Sequence, residues 1–257
     1  LKVSRSTFDT VGRNMEVYNS IGTPDHISVL NSFVATSDAV ASPVESGLNY
    51  SADNNGHFSD NEVSDVTLTV DWDMEGFSLT SVTGFVEYEF DENCDCDFSG
   101  AAIFDAARQE EYEQFSQEFR FTSDLGGDFD YIGGVFFQST ELNYKDQISL
   151  PAPTLIGDVL AGLAPALAPF APGASTDRSF NQEGDLWAVF AQGSYTLTDD
   201  LRVTVGGRYT KETKDADRTQ QHKAVPAFGG LYQPAVTADA VSGAYNALWG
   251  IFAIEPY

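Results

Sequence analysis

Apolar and polar side chains alternate along this chain in paired runs. From Val66, one face carries Val66, Leu68, Val70 and Trp72, and the other carries Asp65, Thr67, Thr69, Asp71 and Asp73. Met74-Glu75-Gly76 turns the chain, and "FSLTSVTGFVEYEF" runs back from Phe77. A second pair sets Phe115, Phe119 and Phe121 opposite Gln114, Ser116, Glu118, Arg120 and Thr122. It turns at "DLGGD" and returns through Phe129, Tyr131, Val135 and Phe137. A third pair opens with Trp187, Val189, Ala191, Gly193, Tyr195 and Leu197. It turns at Asp199-Asp200 and returns with Leu201, Val203, Val205, Gly207 and Tyr209 on one face and Arg202, Thr204, Gly206, Arg208 and Thr210 on the other. Residues 1–8 look like half of an earlier pair. Period-two alternation predicts β-strands, each as long as a tilted membrane-crossing strand of roughly 9–11 residues or a little longer.

The connections keep a rhythm. Turns within pairs are tight and built on Gly and Asp, which tolerate unusual dihedrals. Connections between pairs are long, at roughly 9–61, 91–112, 141–183 and 213–257. Such loops are uncommon in compact domains, and strict alternation of short and long is the habit of outer-membrane barrels, with short periplasmic turns and long extracellular loops. Aromatic residues gather at the run ends. Trp72, Phe77, Phe121, Phe129 and Tyr195 lie beside the tight turns, and Tyr88, Phe90, Phe115, Phe137, Trp187 and Tyr209 lie toward the long loops, as two interfacial girdles would. The opposite faces carry Glu118, Arg120, Arg202 and Arg208, which suit a wet lumen and not a protein core. An antiparallel sheet with one solvated face alternates in the same way; the loop rhythm and the two girdles favour the barrel. The predicted fold is all-β, a partial antiparallel transmembrane β-barrel of about seven strands, with long extracellular loops containing short helices.

Composition narrows the function. A formal net charge of −26 and a pI of about 4.1 repel nucleic acid. With 42% hydrophobic and 13% aromatic residues, the acidity does not mean disorder. The chain begins at Leu1 and shows neither a signal peptide nor an apolar run long enough for a transmembrane helix, so it reads as a mature product or a fragment.

"VTLTVDWDMEGFSLTSVTGFVEYEF", "FSQEFRFTSDLGGDFDYIGGVFF" and "WAVFAQGSYTLTDDLRVTVGGRYTKETKD" resemble barrel hairpins of TonB-dependent outer-membrane receptors. The resemblance covers about half the chain, mainly 62–140 and 184–215. It implies a barrel of about 22 strands closed by an N-terminal plug, placed in the outer membrane of a Gram-negative bacterium. It also implies uptake of scarce solutes such as metal chelates, driven through TonB acting on the plug, with lipid around the wall. By this likeness residues 1–257 are an interior part of the barrel. No plug or TonB-binding box is found, and "LWGIFAIEPY" reads as a piece of extracellular loop. Alone, the chain is expected neither to insert nor to transport, because its end strands would leave unpaired edges. No cofactor and no enzymatic activity are expected. The alternatives are a passive porin-like channel and a secreted β-sandwich binding protein.

The loops hold further candidates. In "ENCDCDFSG", Cys94 and Cys96 suggest a loop disulfide or two free thiols; a metal site lacks enough ligands nearby. "APTLIGDVLAGLAPALAPFAPGA" carries four prolines, which exclude a membrane span, and predicts a short helix near 154–164. A similar helix is predicted within "AAIFDAARQEEYEQ". His26, His57 and His222 fall in the predicted loops and read as ordinary surface residues. No nucleophile–His–acid grouping and no phosphate-binding loop is visible. The acidic loops suit either steering of cationic substrates or divalent ions bridging to lipopolysaccharide.

Overall fold

A computed structural model describes residues 1–11, 22–34, 36–40, 58–123, 127–166 and 168–223. Its core is one seven-stranded antiparallel sheet in which every strand pairs with its neighbours in sequence. The strands are β1 (Lys2–Thr10), β2 (Phe58–Met74), β3 (Phe77–Asp95), β4 (Asp105–Ser123), β5 (Phe129–Ser149), β6 (Ser175–Thr198) and β7 (Leu201–Lys223). Two short helices, α1 (His26–Asn31) and α2 (Leu155–Leu163), stand in the connections.

The expected strand pairs are present, and the strands run well past their expected ends at the long-loop side. The segment 91–112 is mostly ladder, with β3 and β4 paired from Phe77↔Ser123 to Asp95↔Asp105. The helix expected within 101–114 is absent, since β4 begins at Asp105. His222, expected in a loop, pairs with Thr176. His26 opens α1, whereas His57 and the segment 224–257 lie outside the described residues. The cause is physical. Beyond the apolar band both faces are wetted, so hydrophobic alternation ends while the backbone hydrogen bonds of the ladder continue.

Register sorts the side chains into two faces. Val66↔Phe85↔Phe115 and Trp72↔Leu79↔Phe121 form rows of one apolar face. Phe137↔Trp187 and Val189↔Tyr209 continue it. Many of these side chains are exposed, including Trp72, Phe119, Phe137 and Val205. The expected inner girdle is formed: Tyr131 packs against Phe121 and Phe129 with ring centroids 6.0 and 5.9 Å apart. Toward the long loops, Trp187 and Tyr209 pack at 5.4 Å. Tyr88 and Phe90 do not join that outer girdle. They share the face of Val82 and Val86, opposite Phe85. From Val66 to Met74 the band spans about 27 Å along the strand at roughly 3.4 Å per residue. With the usual barrel tilt this is close to the apolar height a membrane needs.

A small polar cluster interrupts the apolar face. Gln117 lies in the row of Thr83 and Phe137. Its amide donates to Ser81 Oγ at 3.0 Å and to Val82 O at 3.1 Å, and it accepts from Thr83 Oγ1 at 2.7 Å. A polar group without partners is costly in hydrocarbon; this one is partnered on both amide atoms.

Candidate functional site

The four charged residues singled out by alternation share the other face. Glu118 and Arg120 form an ion pair at 3.5 Å along β4. Arg202 pairs with Asp130 across from β7 to β5. Arg208 stands over the Phe190 ring, its guanidinium carbon 5.9 Å from the ring centroid, and donates from Nε to Thr210 Oγ1 at 3.0 Å. Three of these residues therefore have charged partners, and the fourth rests on an aromatic face.

The register also aligns charges that alternation alone did not connect. On the polar face, Glu92, Arg108, Asp146 and Arg178 are successive partners across β3, β4, β5 and β6. Arg108 reaches Glu92 at 3.2 Å, and Arg178 Nε donates to Asp146 Oδ1 at 2.8 Å. Both carboxylates are buried, at 3% and 8% exposure. The hydrogen bond to Asp146 raises the Arg178 pKa further above its ordinary value and outweighs the lowering effect of burial. Each buried acid thus has a guanidinium on a neighbouring strand, as buried charge requires.

Beyond this ladder three connections are tied together at one residue. Ala102 N donates to Ala39 O, and Ala102 O accepts from Leu155 N, both at 2.8 Å. Ser37 Oγ hydrogen-bonds Asp158 of α2. Leu30, Ala39, Val40, Ala101 and Leu155 form one apolar cluster, and Leu150, Leu160, Ala171 and Ala174 form another. The expected helix near 154–164 is α2. Thr154 caps it, accepting from Ile156 N at 3.3 Å and donating to Ile103 O at 3.1 Å. The segment 96–104, read from sequence for Cys96 and for the start of a helix, is the centre of this cap. Cys94, at the end of β3, and Cys96 are joined in a disulfide.

The apolar face carries a different pattern beyond its band. Glu87, Glu113, Glu141, Glu183 and Asp215 are direct partners in one row. Five carboxylates in register cannot sit in hydrocarbon, so this row fixes the edge of the band. The ladder and the cap lie beyond it.

An antiparallel wall with an apolar outer band, aromatic rims and a charged opposite face defines a β-barrel membrane protein of the outer-membrane type. Residues 4–245 match the family described as TonB dependent receptor-like, beta-barrel, and the chain belongs to that family. The family is one of transporters and receptors and not of enzymes. Among solved structures, the chain is similar to the ferric yersiniabactin uptake receptor FyuA from Yersinia pestis, at 11% identity and a TM-score of 0.49 over 73% of this chain. The chain spans 27% of the length of that receptor. No curated protein matches it.

Proposed function

We propose that this chain is part of the wall of an outer-membrane receptor that imports a scarce, large solute such as an iron–siderophore-like chelate, energised through TonB. The observation that carries the reading is the division of the sheet: one face bears the apolar band and its aromatic rims, and the other bears Glu118, Arg120, Arg202 and Arg208. In this reading the first face meets lipid and the second lines a wet lumen. The solute is captured at the extracellular mouth, and movement of a plug opens the polar path.

The full-length gene product is expected in the detergent-soluble outer-membrane fraction. Uptake of its solute is expected to stop when the host TonB is deleted. Uptake that persists without TonB would leave a passive channel, and release of the protein without detergent would end the membrane reading. Single cysteines at positions 120 and 208 are expected to react with a membrane-impermeant maleimide, and cysteines at 119 and 189 are expected to stay protected by lipid. The reverse labelling would invert the faces.

A further inference from the structure

On the polar face, just outside the membrane band, two adjoining rows carry five aromatic rings. Tyr88 pairs with Tyr112 across β3 and β4. In the next row Phe90 pairs with Glu110, Glu110 with Tyr144, and Tyr144 with Phe180. All five rings are only half-buried. Half-exposed rings on four neighbouring strands make an apolar strip in a wetted wall, a feature that marks binding surfaces.

Lipid does not cover the strip, because the strip lies on the face opposite the apolar band and beyond the level of the five-carboxylate row. Among the described residues, the apolar clusters of the loop cap include none of the five rings. The charges near it are balanced. Arg108 and Arg178 of the next row are held by Glu92 and Asp146. The strip's own row carries one carboxylate, Glu110, and one guanidinium, Arg218, the β7 partner of Phe180. Tyr88 keeps its hydroxyl in a hydrogen bond to Asn61 Oδ1 at 3.1 Å, so its ring face and not its oxygen is what it offers.

Resting on the transport reading above, we infer that this strip is the mouth's binding surface for an uncharged, ring-bearing solute, held by stacking on Tyr88, Tyr112, Tyr144, Phe90 and Phe180. A multiply charged anionic chelate would find a carboxylate at its centre and no surplus of positive charge. The shared chemistry is a neutral ring face, aryl or sugar, since both stack on aromatic side chains.

The test uses the full-length receptor, purified from outer membranes in detergent. Calorimetric titrations with phenyl β-D-glucoside, methyl β-D-glucoside and catechol cover both neutral rings and each alone, and ferric citrate supplies the anionic chelate. At least one neutral probe is expected to bind. Tyr144→Ala and Phe180→Ala, on different strands, are each expected to weaken it about tenfold, and Tyr144→Phe is expected to retain it. Which neutral probe binds identifies the ring as aryl or sugar. The inference is overturned if no neutral probe binds, if neither alanine variant weakens binding while both stay folded, or if ferric citrate binds and is the probe the variants weaken. The two readings fail separately. Ring binding without TonB-dependent uptake would sink the transport reading alone. TonB-dependent uptake of a charged chelate, unaffected by Tyr144→Ala, would sink the ring reading alone.

Discussion

The Phe190 ring of β6 lies across Gly134 of β5. A Cβ at Gly134 would stand 2.6 Å from Phe190 Cζ and 2.6 Å from the backbone oxygen of Phe119. The adjacent glycine serves the opposite face, where a Cβ at Gly133 would meet Phe121 Cζ at 3.0 Å. The Gly133-Gly134 pair thus seats one aromatic ring on each side of the sheet, and Arg208 sits on the polar-side ring.

Gly134→Ala is expected to destabilise the folded barrel by about 1–3 kcal/mol, the usual range for forced overpacking. The check is the temperature at which the full receptor loses its heat-modifiable migration on gels. Adding Phe190→Ala should recover only part of the loss, because the Phe119 oxygen is backbone and cannot step aside. Full stability in the single variant would show that the ring does not need the gap.

In the buried ladder, Arg178→Met should cost about 3 kcal/mol by leaving Asp146 without its guanidinium, with some relief because Arg178 is itself partly exposed. The double variant Arg178→Met with Asp146→Leu should be markedly more stable than the single. If the two variants unfold at the same denaturant concentration, the pair is not coupled.

Tyr144 is raised above the ordinary tyrosine value of about 10 chiefly by burial, with the Asp146 carboxylate adding to it and Arg108 and Arg178 opposing. Tyr88 is raised by burial and by Glu110. In each case the folded state holds its proton longer than the unfolded chain. Their contribution to stability is therefore complete below about pH 10 and is lost as pH rises through the folded values. Titration at the tyrosinate absorbance band should show a late fraction that shrinks in Tyr144→Phe. A curve unchanged by the substitution would contradict this.

Glu113 and Glu141 face each other directly in the carboxylate row. Like charges so placed oppose pairing. Glu113→Gln with Glu141→Gln should raise stability by about 0.5–1 kcal/mol at low salt and by less in about 1 M salt, where screening is short-ranged. Loss of stability at low salt would mean that the row is already neutralised by something bound.

On the apolar face, Gln117→Leu is expected to change stability little, because the remaining hydroxyls of Ser81 and Thr83 can bond backbone oxygens. Thr83→Val should cost about 1 kcal/mol by leaving the Gln117 oxygen unpaired. Equal effects of the two changes, measured by the same gel assay, would argue against a partnered amide.

Alternation along the chain is enough to place the strand pairs, the turns at 75–76 and 199–200, α2 and the apolar face, because inside the band a period-two contrast between lipid-like and polar side chains is the dominant force. It placed Glu118, Arg120, Arg202 and Arg208 on one face for the same reason. Where both faces are wet that contrast disappears, so by pattern alone the upper halves of β3 and β4 read as loop and helix, and Tyr88 and Phe90 read as part of a girdle. Those segments are settled by pairing, since a ladder is fixed by which backbone lies beside which. The same holds for the Glu92–Arg108–Asp146–Arg178 ladder, the five-carboxylate row and the cap stitched at Ala102. Each joins residues far apart in sequence, and register, not composition, brings them together.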